Sequence, residues 1–216
     1  WQVAVSWQPA RTVSGDFYDV LCGPDDNLHL LIADVTGKGV PAAMVVATSR
    51  TILHTFMAQN LSPGELLREA NELLCDETPP GMFITCFYAV IEPRSGLIRF
   101  ANAGHNLPYC LGQNGLRPMN ARGMPLGALP GSVYDGEQAV VEPGEGLLLY
   151  SDGLVEAHDP QGEMFGNARL EKLLTGLASD EGALDVLLNS LGEFTGDTPE
   201  QEDDITLLWV SRTGES

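Results

Sequence analysis

Apolar and polar positions change period several times along this chain. Val3 to Trp7 (VAVSW) alternates, Asp16 to Val20 (DFYDV) is rich in aromatic and β-branched residues, and Leu28 to Val35 (LHLLIADV) is a nearly continuous apolar run ending at an acid. Runs of this length predict three opening strands with no helix between them. The period then lengthens. Pro41 stands at a helix start, and the segment continues to about Ala58 with apolar residues around most of its circumference, which predicts a deeply packed helix. Ser62-Pro63-Gly64-Glu65 combines an N-cap, a proline at the first helical position and a glutamate three residues after the cap. Leu66, Leu67, Ala70, Leu73 and Leu74 follow at the spacing of an amphipathic helix.

Strand patterns return at Met82 to Ile91, Leu97 to Ala103, Leu107 to Leu111, Glu137 to Val141 and Gly146 to Ser151. Turn clusters separate them at Pro93 to Gly96, Gly112 to Gly115, Pro130-Gly131 and Pro143-Gly144, as in antiparallel hairpins. Arg169 to Leu177 and Glu181 to Phe194 read as two further helices, and Ile205 to Val210 as a last buried strand. Strands and helices in blocks, without strict alternation, predict an α+β fold with antiparallel sheets. Eight or nine strands are more economically arranged as two packed sheets with a helix pair outside each, a four-layer α-β-β-α sandwich. With no linker, repeat or low-complexity stretch, residues 1–216 read as one domain.

Composition narrows the function. Thirty Asp and Glu against eleven Lys and Arg give a net charge of −19, which disfavours nucleic-acid and anionic-membrane partners. Hydrophobic residues make up 44% of the 216, so the chain can bury a core, and no run approaches the ~18 apolar residues of a membrane span. Cys22, Cys75, Cys86 and Cys110 match neither a CxxC clip nor a disulfide framework, so four reduced, mostly buried thiols and a cytoplasmic location are expected. The chain begins without Met inside the first strand pattern, as expected of a piece of a longer regulatory protein.

Four acidic positions fall where strands begin or end: Asp16, Asp34, Asp152, and the pair Asp203-Asp204 before Ile205. Each alone suits a turn or a cap. Together, beside apolar strands in a chain poor in bases, they suit a hard divalent cation, since Mg2+ and Mn2+ prefer all-oxygen sites. No HExxH, paired Cys or His cluster points to zinc.

These acids lie in a recognisable series. Ser14-Gly-Asp-Phe-Tyr-Asp19, Asp34-Val-Thr-Gly-Lys-Gly-Val-Pro-Ala-Ala-Met44, Met82-Phe-Ile-Thr85, Asn102-Ala-Gly-His-Asn106, Tyr150-Ser-Asp-Gly-Leu-Val-Glu-Ala157 and Asp203-Asp-Ile-Thr206 follow the order and approximate spacing of the SpoIIE/RsbU-like branch of the PP2C (PPM) metal-dependent protein phosphatases. The resemblance spans nearly the whole chain. It implies the four-layer sandwich and two Mn2+ or Mg2+ ions, with Asp34 bridging them and the Val35 carbonyl, Asp16, Asp152 and Asp203 as further ligands. Asp204 falls where the family varies between Asp and Asn and is expected only to support them. The implied chemistry is two-metal hydrolysis by a shared water made nucleophilic near neutral pH. It needs no side-chain nucleophile, and no GxSxG motif is present.

Other residues fit bland roles. Gly37-Lys38-Gly39 does not satisfy GxxxxGK[ST] and reads as the turn into the Pro41 helix. His105 reads as a packed or turn-stabilising residue, Arg11 as a solvated one, and Met44, Met57 and Met82 as core filling. The resulting expectation is a serine/threonine phosphoprotein phosphatase domain in bacterial signal transduction. Resemblance implies an anti-sigma-factor antagonist as substrate and an N-terminal receiver or sensor domain, with dimerisation through segments outside this chain left open. Movement of the Pro41 helix could then switch activity through metal occupancy. The alternatives are a phosphatase-like output or adaptor domain that has lost catalysis, normally marked by missing ligand acids, and a hydrolase of small phosphoesters.

Overall fold

The structure, a computed structural model, describes residues 1–23, 26–113, 115–177, 182–196 and 201–214. They form two compact units, each an antiparallel five-stranded sheet with a helix pair. Thr12–Leu107 and Asn120–Val140 make one unit; Trp1–Arg11, Pro108–Met119 and Val141–Ser216 make the other.

The first unit contains β2 (Asp16–Cys22), β3 (Leu28–Val35), α1 (Val40–Met57), α2 (Pro63–Glu77), β4 (Ile84–Ile91), β5 (Leu97–Ala103) and β8 (Glu137–Val140), in the strand order β2-β3-β4-β5-β8. Residues 30–33 of β3, between two paired neighbours, have no exposed surface, as the apolar run predicts. Leu53, Leu66, Leu67, Ala70 and Leu74 from the helices join Leu31, Ala33, Ile84, Cys86 and Tyr88 from the sheet in one core. The β4–β5 turn is closed by Glu92 N to Leu97 O and Gly96 N to Glu92 O, with the Ser95 hydroxyl donating to Glu92 Oε2.

The second unit joins the ends of the chain. Its order is β1 (Gln2–Gln8), β10 (Ile205–Ser211), β9 (Gly146–Tyr150), β6 (Tyr109–Gly112) and β7 (Gly115–Pro118), so the first strand pairs with the last from Gln2↔Ser211 to Gln8↔Ile205. Helices α3 (Gly166–Thr175) and α4 (Ala183–Thr195) bury Leu170, Leu174, Leu184, Leu187 and Leu191 against Leu148, Tyr150, Leu207 and Trp209. Expected residue Glu181 of the last helix lies outside the described residues. Among the described residues, no helix is long and apolar enough to cross a membrane.

Several expectations are corrected. The turn expected at Gly112 to Gly115 does close a hairpin, with Gly112 opposite Gly115, but a strand that was not expected follows it: β7, a four-residue edge strand that tolerates Pro118 because an edge position can do without a donor. The strand expected from Leu107 starts at Tyr109, after donor-less Pro108. Helix α1 is not deeply packed all round: Ala42, Val45, Ser49, Leu53 and Met57 form its one buried face, whereas Met44 is 67% exposed and fills no core. Met57 is buried and Met82 packs at the core margin. All four thiols are free, but only Cys86 and Cys110 are buried, and Cys22 is exposed at the end of β2. Helix α2 has the capping box read from Ser62 and Glu65.

An ion-pair cluster seats α1 on β2. Asp19, 5% exposed, accepts bonds from Arg50 Nε (3.0 Å) and Nη2 (2.6 Å), with His54 Nε2 at 2.7 Å. Burial alone would raise its pKa, but the bonds to Arg50 and His54 and their charges outweigh it and hold the carboxyl below the usual range. A depressed carboxyl pKa contributes stability that is complete above the unfolded value and is lost as pH falls through the folded one. Denaturant melts from about pH 5 downward are therefore expected to show a loss of stability in the wild type that is smaller in Asp19→Asn. Parallel pH profiles for the two proteins would contradict this.

Candidate functional site

The predicted acids fall into two groups, one in each unit. In the first unit Asp16 and Asp34 are directly opposed, the end pair of the β2–β3 ladder. Opposed residues on antiparallel strands share a face, and two carboxylates so placed repel each other unless a cation lies between them. Asp16 is 3% exposed and Asp34 is half-buried. The Ser14 hydroxyl accepts from Asp16 N at 3.0 Å, fixing the start of the strand.

Gly15 completes this arrangement. A side-chain carbon built on it would stand 2.9 Å from Val35 O and 3.1 Å from Asp34 Oδ1, so both oxygens converge on the space that glycine leaves open. Val35 N donates to Gly15 O at 3.2 Å, which holds the two segments together. Carboxylate and carbonyl oxygens aimed at one small gap are the donor set a hard divalent cation takes. Gly15→Ala is expected to displace the Val35 carbonyl and weaken Mn2+ binding about tenfold, measurable by calorimetry. Unchanged affinity would show that this gap is not used.

The loop after Val35 is fixed by Thr36, whose N donates to Phe83 O at 3.0 Å and whose hydroxyl accepts from Phe83 N at 2.9 Å. Gly37 (φ 93°) and Gly39 (φ 80°) then take left-handed conformations, turning the chain into α1 as expected of the Gly-Lys-Gly segment.

In the second unit Asp152 opens a single 3-10 turn, Asp152–Leu154, directly after β9, and Asp203 precedes β10. Ser151 ties the two places together: its hydroxyl accepts from Thr206 N (3.0 Å) and donates to Asp204 O (3.2 Å). Asp152 is half-buried. Burial first, then the neighbouring Glu156 and Asp203 carboxylates, hold its pKa above the usual range. Such crowding of acids is costly without a cation and is relieved by one. Asp203 is exposed and accepts from Asp204 N at 3.0 Å. Asp204 is buried and accepts from Ala10 N at 2.7 Å.

His105 sits in a closed turn: its N donates to Asn102 Oδ1 (2.7 Å), Asn102 Nδ2 donates to its carbonyl (2.9 Å), and its Nδ1 lies 2.8 Å from the Thr85 hydroxyl. Arg11 is exposed. Gly15, Ser151, Gly153 and Thr206 were not singled out by sequence reasoning, although each lies inside a quoted motif. Among the described residues, no three His, Cys, Asp or Glu side chains form a ready-made metal cage.

IcfG of Synechocystis sp. is 31% identical over 242 aligned residues, covering 98% of this chain and 38% of IcfG. The phosphoserine phosphatase RsbU of Bacillus subtilis is 29% identical over 156 residues, covering 71% of this chain and 46% of RsbU. The chain thus spans less than half the length of either relative. The SiaA-PP2C domain of Pseudomonas aeruginosa matches in structure with a TM-score of 0.86 at 21% identity, over 97% of this chain and 85% of that one, which shows a shared α+β sandwich fold. The model of the family Stage II sporulation protein E (SpoIIE) matches residues 24–213, and the chain belongs to this SpoIIE family of PP2C-type serine phosphatases.

Proposed function

We propose that this chain is a Mn2+- or Mg2+-dependent serine/threonine phosphoprotein phosphatase. The observation that carries the reading is the convergence of Asp34 Oδ1 and Val35 O on the gap at Gly15, beside the opposed Asp16. Asp16, Asp34, the Val35 carbonyl, Asp152 and Asp203 are the proposed ligands of two ions. When bound, the ions supply a water acidic enough to act as hydroxide near neutral pH and neutralise phosphoryl charge. The protein's own part is to hold its acids fixed. Asp16 and Asp34 are set by the β2–β3 register, Asp152 by the Ser151 bonds, and Asp203 by the Asp204 amide.

The proposed substrate is a phosphoserine or phosphothreonine protein of the anti-sigma-factor antagonist class, in bacterial partner-switching control of transcription. RsbU, a phosphoserine phosphatase by name, supports the phosphoserine part. A cytoplasmic setting and control by a sensor or receiver domain belong to the same proposal. The test compares Mn2+-dependent phosphate release from one antagonist protein phosphorylated on serine and from a phosphotyrosine peptide. Release from the phosphoserine protein alone is expected. Equal or preferred release from phosphotyrosine would refute the substrate class, and binding of the phosphoprotein without release would favour the adaptor alternative.

A further inference from the structure

The motif Ser14–Asp19 ends in a second acid that the proposed chemistry does not use. Asp19 lies three residues along β2 from Asp16, and its buried carboxylate is gripped from one helix by Arg50 and His54. These two residues are four apart on α1 and so share a face. Arg50 engages both carboxylate oxygens, one through Nε and one through Nη2. A forked guanidinium on a carboxylate fixes orientation as well as distance.

Helix α1 is thereby tied at two places to the strands that carry the proposed ligands. Its N-terminus follows Val35 after residues 36–39, and its second half is held by Asp19 to the strand that carries Asp16. Sliding or rolling of α1 along β2 would break the Arg50 fork and leave a buried carboxylate short of partners, a costly change. The Val35 carbonyl and Asp16 thus belong to one closed circuit: β2, the Asp19 clamp, α1 and the loop back to β3, whose remaining side is the ladder from Asp16↔Asp34 and the Val35 N to Gly15 O bond.

We propose that Asp19 is a positioning residue for the metal-binding acids, which locks α1 onto β2 and so fixes the Val35 carbonyl relative to Asp16. This rests on the reading of Asp16, Asp34 and Val35 as metal ligands. The test is calorimetric titration of Mn2+ alone into the wild type, Arg50→Gln, Arg50→Lys, Asp19→Asn and Thr51→Ala, at a temperature where circular dichroism shows each folded. The Arg50 side chain is 52% exposed, so Arg50→Gln removes the fork without opening the core. Thr51 is an exposed control on the same helix whose hydroxyl bonds only within α1, to Ala47 O.

Arg50→Gln and Asp19→Asn are expected to weaken Mn2+ binding about tenfold, with part of the loss recovered in Arg50→Lys and none seen in Thr51→Ala. The Mn2+ concentration for half-maximal phosphatase activity should rise by the same factor, while kcat at saturating Mn2+ stays within about twofold. Wild-type Mn2+ affinity in both Arg50→Gln and Asp19→Asn, accompanied only by a lower melting temperature, would overturn the proposal and leave the clamp a purely structural one. A wild type that takes up no Mn2+ would instead overturn the metal assignment itself.

Discussion

Asp152→Asn is expected to lower Mn2+-dependent hydrolysis of a phosphoserine protein by at least ~100-fold, a loss of about 3 kcal/mol in transition-state stabilisation. The amide keeps the size of the carboxylate but loses the charge that competes for a cation. The same substitution carries a second expectation that separates a ligand from a merely structural acid. In the metal-free protein Asp152 is half-buried beside Glu156 and Asp203, and its pKa is held above the usual carboxylate range. A carboxyl with a raised folded pKa favours the fold while protonated, and that contribution is lost as pH rises through the folded value. At neutral pH the chelated Asn variant should therefore melt no lower than the wild type. Added Mn2+ should raise the wild-type melting temperature and leave the variant nearly unmoved, because only a folded state that binds the ion is stabilised by it. Full activity in Asp152→Asn, or an equal Mn2+ response, would remove Asp152 from the site.

Gly153→Ala is expected to destabilise the fold by about 3 kcal/mol or more. A side-chain carbon at Gly153 would lie 2.1 Å from Asp204 O and 2.9 Å from Asp204 C, and these are backbone atoms that no rotamer change can move. The segment they belong to is fixed three times over: Ser151 bonds to Asp204 O and Thr206 N, Ala10 N bonds to Asp204 Oδ1, and Ile205 begins the ladder with β1. Relief must come from displacing the start of β10, and Asp203 with it. Gly192, within α4, has no atom in reach of an added carbon, and Gly192→Ala should be neutral or stabilising by up to ~1 kcal/mol. Denaturant unfolding of the two variants checks the contrast, and similar stabilities for both would contradict it.

What the sequence showed of this fold follows from how local each feature is. Strand β3 and helix α2 were readable because their signals lie within a few residues: an apolar run ending at Asp34, and a capping box at Ser62. The antiparallel block architecture followed from the turn clusters. By contrast, the pairing of β1 with β10 joins residues about 200 apart, and no local pattern encodes it. Strand β7 was missed because its first residue, Gly115, was read as the end of a turn and its four residues at a sheet edge carry little strand pattern of their own. Met44 was assigned to the core because apolar residues on α1 outnumber the positions its single buried face can take.

The proposed ligands were legible as acids at strand ends, but what shapes their surroundings was not. Gly15 and Gly153 act through the absence of a side chain at a close approach, which requires the partner backbone to be placed first. The grip of Arg50 and His54 on Asp19 couples residues 31 and 35 positions apart, and their chemistry alone does not select one acid among thirty.

The central claim, hydrolysis assisted by bound divalent ions, is tested most directly by phosphate release from a phosphoserine antagonist protein before chelation, after chelation, and after Mn2+ is restored. Release that disappears on chelation and returns in proportion to bound Mn2+ is the predicted result. Release that persists undiminished in the chelated protein would contradict the account.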